Sequence, residues 1–160
     1  MRLTRLASGL VAIPVLLVSL VLSINAPAAP APPCQEGWTK GAWDLPAGAG
    51  SGFAEGKLVS NLTGNTVYKM ECKLIATPSP CLSCIQGTMY GYLDDGFGPS
   101  PDYLVKGSYS GTWLNGQGTF GAYVYELNGA GPVGKIGGVF ADPPFPVAIG
   151  EYKGEWVVCP

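Results

Sequence analysis

Val105-Lys106-Gly107-Ser108-Tyr109-Ser110-Gly111-Thr112-Trp113-Leu114-Asn115-Gly116-Gln117-Gly118-Thr119-Phe120-Gly121-Ala122-Tyr123-Val124-Tyr125-Glu126 is the stretch whose reading decides the fold. Asn115-Gly116 suits a two-residue type I′ hairpin turn, because both central residues of that turn need φ > 0. Folding about it predicts Trp113 opposite Gly118, Gly111 opposite Phe120, Tyr109 opposite Ala122 and Gly107 opposite Val124. On that face a bulky side chain always meets a small one, as a packed surface requires. The other face carries Lys106, Ser108, Ser110 and Thr112, with Thr119, Tyr123 and Tyr125. The first face reads as core and the second as solvent, with tyrosines on the wet side.

The same spacing recurs. Gly150-x-Tyr152-x-Gly154-x-Trp156 matches Gly107-x-Tyr109-x-Gly111-x-Trp113, Gly87-x-Met89-x-Gly91-x-Leu93 is a third copy, and Gly37-x-Thr39-x-Gly41-x-Trp43 is a looser fourth. A period of two places all four marked residues of each copy on one side of a strand. Glycine weakens a strand, so its repetition calls for a cause: room for a ring from the neighbouring strand, or bending as the sheet closes. The copies are unevenly spaced, which argues against a solenoid.

Outward from these copies, strands are predicted near Gly37–Asp44, Phe53–Ser60, Thr66–Ile75, Cys84–Leu93, Tyr103–Trp113, Gly118–Leu127, Gly134–Phe140 and Val147–Val158, divided by Gly, Pro, Asn and Asp clusters. Only 12% of residues are charged, against roughly 25% in a typical soluble domain, while Gly (24) and Pro (15) are abundant. The fold class expected is all-β: an antiparallel eight-strand meander closing into a small barrel, with a two-sheet β-sandwich as the alternative. In size and strand number such a barrel is similar to avidin- or lipocalin-like barrels, a likeness of architecture that carries no function.

Tyr109-Ser110-Gly111-Thr112-Trp113-Leu114-Asn115-Gly116-Gln117-Gly118-Thr119-Phe120 resembles a MORN repeat, whose pattern is Tyr-x-Gly-x-Trp-x-x-Gly followed by Gly-x-Phe. Tyr152-Lys153-Gly154-Glu155-Trp156 resembles the start of another. The family's tandem spacing is missing. The resemblance implies β-hairpins and no catalytic residue, and the family's use as scaffold and interaction surface agrees with a non-enzymatic role.

Three regions are expected. Residues 1–28 read as a secretory signal: Arg2 and Arg5, an apolar run from Leu10 to Leu22, and Ala26-Pro27-Ala28 as a small-x-small cleavage site. The alternative is a retained anchor, since Leu6 to Ile24 carries no charge and is long enough to span a bilayer. Residues 29–36 form a Pro/Ala-rich spacer, and 37–160 a single β domain. Without the leader the chain has seven lysines and eleven acids, a net charge of −4, and no arginine. That balance gives no electrostatic footprint for nucleic acid. Histidine is absent, which removes Ser-His-Asp and Cys-His catalysis and every His-ligated metal.

Five cysteines in an exported chain predict disulfides. In a closed eight-strand meander the first and last strands are antiparallel neighbours, so Cys34 is expected to bond Cys159. Cys72–Cys81 is the second expected bridge, leaving Cys84 free. Cys81-Leu82-Ser83-Cys84 has redox-motif spacing, but no helix follows to lower a thiol pKa, and a structural loop staple is the favoured reading. A four-cysteine zinc site has only one close pair to build on.

Tyr90 and Tyr92 share the wet side of their strand with Gln86 and Thr88, as Tyr123 and Tyr125 share theirs. If one strand separates the two, four tyrosines form a platform suited to stacking on sugar rings or anchoring a protein; packing beneath a loop or a second sheet is the plainer alternative. Asp94-Asp95-Gly96-Phe97-Gly98 with Asp102 lacks calcium-loop spacing and reads as a solvated turn. Asn61-Leu62-Thr63 fits a glycosylation acceptor or simple turn chemistry. Glu126 falls at the mouth of the sheet, hydrated. Asp142-Pro143-Pro144-Phe145-Pro146 reads as a rigid loop.

These features predict a secreted or cell-surface non-enzymatic binding or structural domain, recognising glycan or a surface protein through Tyr90, Tyr92, Tyr123 and Tyr125. No cofactor, metal or catalytic residue is expected, and no membrane contact beyond an uncleaved leader. Two alternatives stand: a small polysaccharide hydrolase using paired carboxylates about 5–9 Å apart, and a barrel holding an apolar small molecule, which an interior filled by Tyr109, Trp113, Phe120, Tyr152 and Trp156 would exclude.

Overall fold

Eight strands pair in chain order and close on themselves, β1 with β8, into an antiparallel barrel. They are β1 (Gln35–Asp44), β2 (Ser51–Ser60), β3 (Thr66–Ala76), β4 (Cys84–Asp94), β5 (Tyr103–Thr112), β6 (Gln117–Glu126), β7 (Pro132–Ala141) and β8 (Gly150–Val158). The structure, a computed structural model, describes residues 33–46, 48–79, 81, 83–112, 116–141 and 149–159. The predicted leader, the spacer as far as residue 32, Trp113 to Asn115 and the Asp142–Pro146 loop lie outside the described residues. β1 begins at Gln35, inside the stretch expected to be spacer, because its first residues already pair with the end of β8.

Closure leaves no free edge in the wall. Buried and exposed residues alternate along each strand, as in β3, where Tyr68, Met70, Cys72 and Leu74 point inward between Lys69, Glu71 and Lys73. Eight strands enclose a space that side chains just fill. Here Leu58, Met70, Leu93, Val105, Val124 and Ile136 fill it with the rings of Trp43, Tyr109, Phe140, Tyr152 and Trp156. Each fully buried aliphatic side chain stabilises the fold by about 1.5–3 kcal/mol.

The hairpin register differs from the expectation. Thr112 pairs with Gln117, so four residues connect β5 to β6 instead of two. Tyr109 stands opposite Phe120, Gly111 opposite Gly118, Gly107 opposite Ala122 and Val105 opposite Val124. The slip is an even number of positions, so every side chain keeps its predicted face. Within this hairpin, then, large does not meet small. The rings instead find their glycines on the outer neighbours: Tyr109 pairs with Gly87 of β4, and Phe140 of β7 with Gly118.

The glycines are sockets for rings. A Cβ on Gly87 would lie 2.7 Å from Tyr109 Cζ, one on Gly41 2.6 Å from Tyr152 Cε1, and one on Gly111 2.9 Å from Phe140 Cζ. Gly37 sits beneath Trp156, whose indole N–H donates to the carbonyl of Val59 at 3.2 Å. A bulge between Leu58 and Val59 accompanies that acceptor, and both residues are buried there. Trp43 and Phe140 pack at 4.3 Å, Phe120 and Tyr152 at 5.4 Å, and Tyr68 and Trp156 at 6.0 Å between ring centroids.

Cys34 and Cys159 are bonded, tying the start of β1 to the end of β8. Cys72 and Cys81 are not. Cys81 bonds Cys84 and Cys72 is a free, buried thiol. The reason is strand parity: Cys72 faces the core opposite Ala54 and Gly91, whereas Cys81 sits in an exposed connection. Burial pushes the Cys72 thiol pKa up to about 12.

Candidate functional site

β5 lies between β4 and β6 in the wall, so the two tyrosine-bearing strands have one strand between them. Tyr90 pairs with Lys106, and Lys106 with Tyr123; one step along, Tyr92 pairs with Leu104, and Leu104 with Tyr125. All four tyrosines therefore fall within two adjacent rows of the outer surface. Tyr90, Tyr92 and Tyr123 are 44%, 47% and 57% exposed, and Tyr125 is half-buried. Lys106 Nζ lies 5.6 Å from the Tyr125 ring centroid, within cation–π range.

On one side of these rows the surface drops. The next row reads Thr88, Ser108, Gly121 and Gly137 across β4 to β7. A Cβ on Gly121 would meet nothing within 4 Å. The rings thus stand above a low strip of hydroxyls and bare backbone. Each end opens into a shallow depression, one bordered by Phe53, Glu55, Glu71, Lys73, Tyr90 and Tyr92, the other by Tyr123, Lys135, Gly121, Gly137 and Glu155.

Sequence reasoning placed the four tyrosines on the wet face and noted Lys106 there, but missed Lys106 as their centre. It also missed Phe53, Lys73 and Lys135, which reach this surface only through cross-strand pairing. A period-two signal marks them as outward, yet only the register says what they stand beside.

Among the described residues the interior offers no comparable site. Its apolar cavity, bordered by Trp43, Met70, Tyr109, Phe140 and Tyr152 among others, has a volume of about 20 Å³, the room of a single water. An apolar ligand of the kind held by open barrels has no space there. Burial raises the pKa of Tyr109, and burial with the neighbouring Tyr103 raises that of Tyr68.

Among the described residues Glu36 and Glu155 both border the second depression, and carboxylates gather in two further places. Glu55 and Glu71 face each other across β2 and β3, inside the first depression. Asp94, Asp95 and Asp102 bring one carboxylate oxygen each within 4.8 Å of the others. They accept backbone N–H groups from Gly96 (2.7 Å), Phe97 (2.8 Å) and Asp95 (2.7 Å), respectively, which is the chemistry of a turn. Glu126 is exposed at the end of β6, and Asn61 is exposed in a turn stapled by the Ser60 and Thr63 hydroxyls.

Two disulfides are compatible with an extracellular location. Among the described residues no helix is long and apolar enough to cross a membrane. No known protein family, curated protein or solved structure matches the chain.

Proposed function

We propose that the protein is an exported, non-enzymatic binding domain that holds a glycan against the outer face of β4–β6. The observation that carries this reading is the gathering of Tyr90, Tyr92, Tyr123 and Tyr125 around Lys106, above the low strip of Thr88, Ser108 and Gly121. Rings stack on the apolar faces of sugars while hydroxyls and backbone meet their edges. A closed wall with a filled core supplies the rigid support that such a flat site needs.

Replacing Tyr123 and Tyr125 together by Ala tests it. The double variant is expected to keep the wild-type far-UV spectrum and lose retention on immobilised polysaccharides. Unchanged retention would remove the tyrosines from the site.

One observation favours a second reading, polysaccharide hydrolysis: the in-register Glu55–Glu71 pair borders a depression that also holds Phe53, Tyr90 and Tyr92. Release of reducing ends by the wild type, abolished in Glu55→Gln and Glu71→Gln, would favour hydrolysis over binding alone.

A further inference from the structure

We propose that the polymer bound on this face is acidic, with its carboxylate or sulfate groups taken at Lys106. This rests on the glycan-binding reading and adds the chemical class of the ligand.

The cross-strand pairs form one continuous row: Phe53, Lys73, Tyr90, Lys106, Tyr123, Lys135, on β2 to β7 in order. Rings and lysines alternate without a break, and all six side chains are exposed. Strands lie about 4.8 Å apart, so successive lysines recur at about 10 Å, with a ring midway between them. A chain of sugars carrying one acid per disaccharide presents charge and stacking face in that alternation. The wall curves away on both sides, so contact centres on β4 to β6.

Lys106 is the cation best placed to recognise an anion, because among the described residues no carboxylate stands in the positions around it. Along β5 its outward neighbours are Leu104 and Ser108; across the sheet they are Tyr90 and Tyr123. The corner positions hold Thr88, Gly121 and the other two tyrosines. No carboxylate stands among them. The remaining lysines show the contrast. Lys153, Lys40, Lys57 and Lys69 form a second row across β8, β1, β2 and β3, and the row beside it carries Glu151, Glu55 and Glu71. There the charges offset each other, as they do at Lys73 beside Glu55 and Glu71 and at Lys135 beside Glu155; around Lys106 they do not. With the predicted leader removed, the domain is net negative, which makes an unopposed lysine inside a ring of tyrosines more informative than one on a basic surface.

The test measures binding of wild type, Lys106→Gln and Lys106→Arg to polygalacturonate, to its carboxyl-reduced neutral form, to dextran sulfate and to dextran. Thermal unfolding confirms that the exposed substitution leaves the fold intact. Wild type is expected to prefer an acidic polymer over its neutral counterpart. Lys106→Gln should lose about tenfold in affinity for the acidic polymer alone, and Lys106→Arg should keep most of it. Preference for polygalacturonate identifies the group as a carboxylate, and preference for dextran sulfate as a sulfate; either supports the proposal. Equal binding of neutral and acidic polymers, unchanged by Lys106→Gln but lost in the Tyr123/Tyr125 variant, overturns the acidic ligand while leaving glycan binding standing. Binding of none of the four overturns both. In a parallel measurement with polyglutamate, binding as tight as to polygalacturonate overturns the choice of a polysaccharide.

Discussion

Two glycine-to-alanine substitutions of identical chemistry should have opposite effects. At Gly87 an added Cβ would lie 2.7 Å from Tyr109 Cζ and would also press on the Tyr109 hydroxyl and the Ile75 carbonyl oxygen. Carbon atoms pack best at about 3.5–4.0 Å, so the ring must retreat by about 1 Å into a core whose cavity beside it holds only about 20 Å³, and the carbonyl belongs to a paired strand. Overpacking of this kind costs about 1–3 kcal/mol, and the rigid neighbours place Gly87→Ala near 3. The lower backbone entropy of alanine returns about 0.5–1 kcal/mol, leaving a net loss of about 2. At Gly121 nothing lies within 4 Å of the added atom, so only the entropic gain applies. The two variants should therefore differ by about 3 kcal/mol, or about 10 °C in midpoint at this domain size. Urea unfolding followed by tryptophan fluorescence reads the difference directly. Tyr109→Phe in the Gly87→Ala background should recover part of the loss, because it removes one of the pressed atoms and a buried hydroxyl that has no hydrogen-bond partner among the described residues. Equal shifts for Gly87→Ala and Gly121→Ala would refute the idea that inward glycines are sockets.

Cys34→Ser with Cys159→Ser opens a linkage between residues 125 apart and should lower stability by about 5 kcal/mol by the loop-entropy relation, measured as a drop in denaturation midpoint. Cys72 should resist Ellman's reagent in the native protein and yield one thiol only on unfolding, since it is buried with its pKa raised to about 12. Tyr68, Tyr109, Tyr152 and Cys72 all hold their protons more tightly when folded. Raised acids of this kind give stability that is complete below their ordinary pKa and is lost as pH climbs through the folded values. The melting temperature should accordingly fall from about pH 9 upward, with Cys72→Ala removing the earliest part of the fall.

The barrel was legible because its signal is short-range. Glycine and a large apolar residue at alternate positions of one strand, repeated in four strands, state which side is inward before any partner is known. What the pattern leaves open is sliding by two positions, since both registers put Gly111 and Phe120 inside. The choice is made by Tyr109 against Gly87 and by Phe140 against Gly118, contacts with strands outside the hairpin. Cys72 shows a signal present but outweighed. Met70, Cys72 and Leu74 alternate with Lys69, Glu71 and Lys73, which already turns Cys72 away from any exposed loop. The tyrosine face was visible as four outward positions. Lys106 between them, and Phe53 and Lys73 beyond Tyr90, depend on pairing between residues well separated in sequence.

The bond between Cys34 and Cys159 also decides how the domain bears a load. Tension applied before Cys34 and after Cys159 passes straight through two sulfur atoms, bypassing the ladder of hydrogen bonds between β1 and β8. The wall cannot be unzipped from its seam by pulling on its ends, and the tyrosine-bearing strands on the far side of the ring keep their shape under traction.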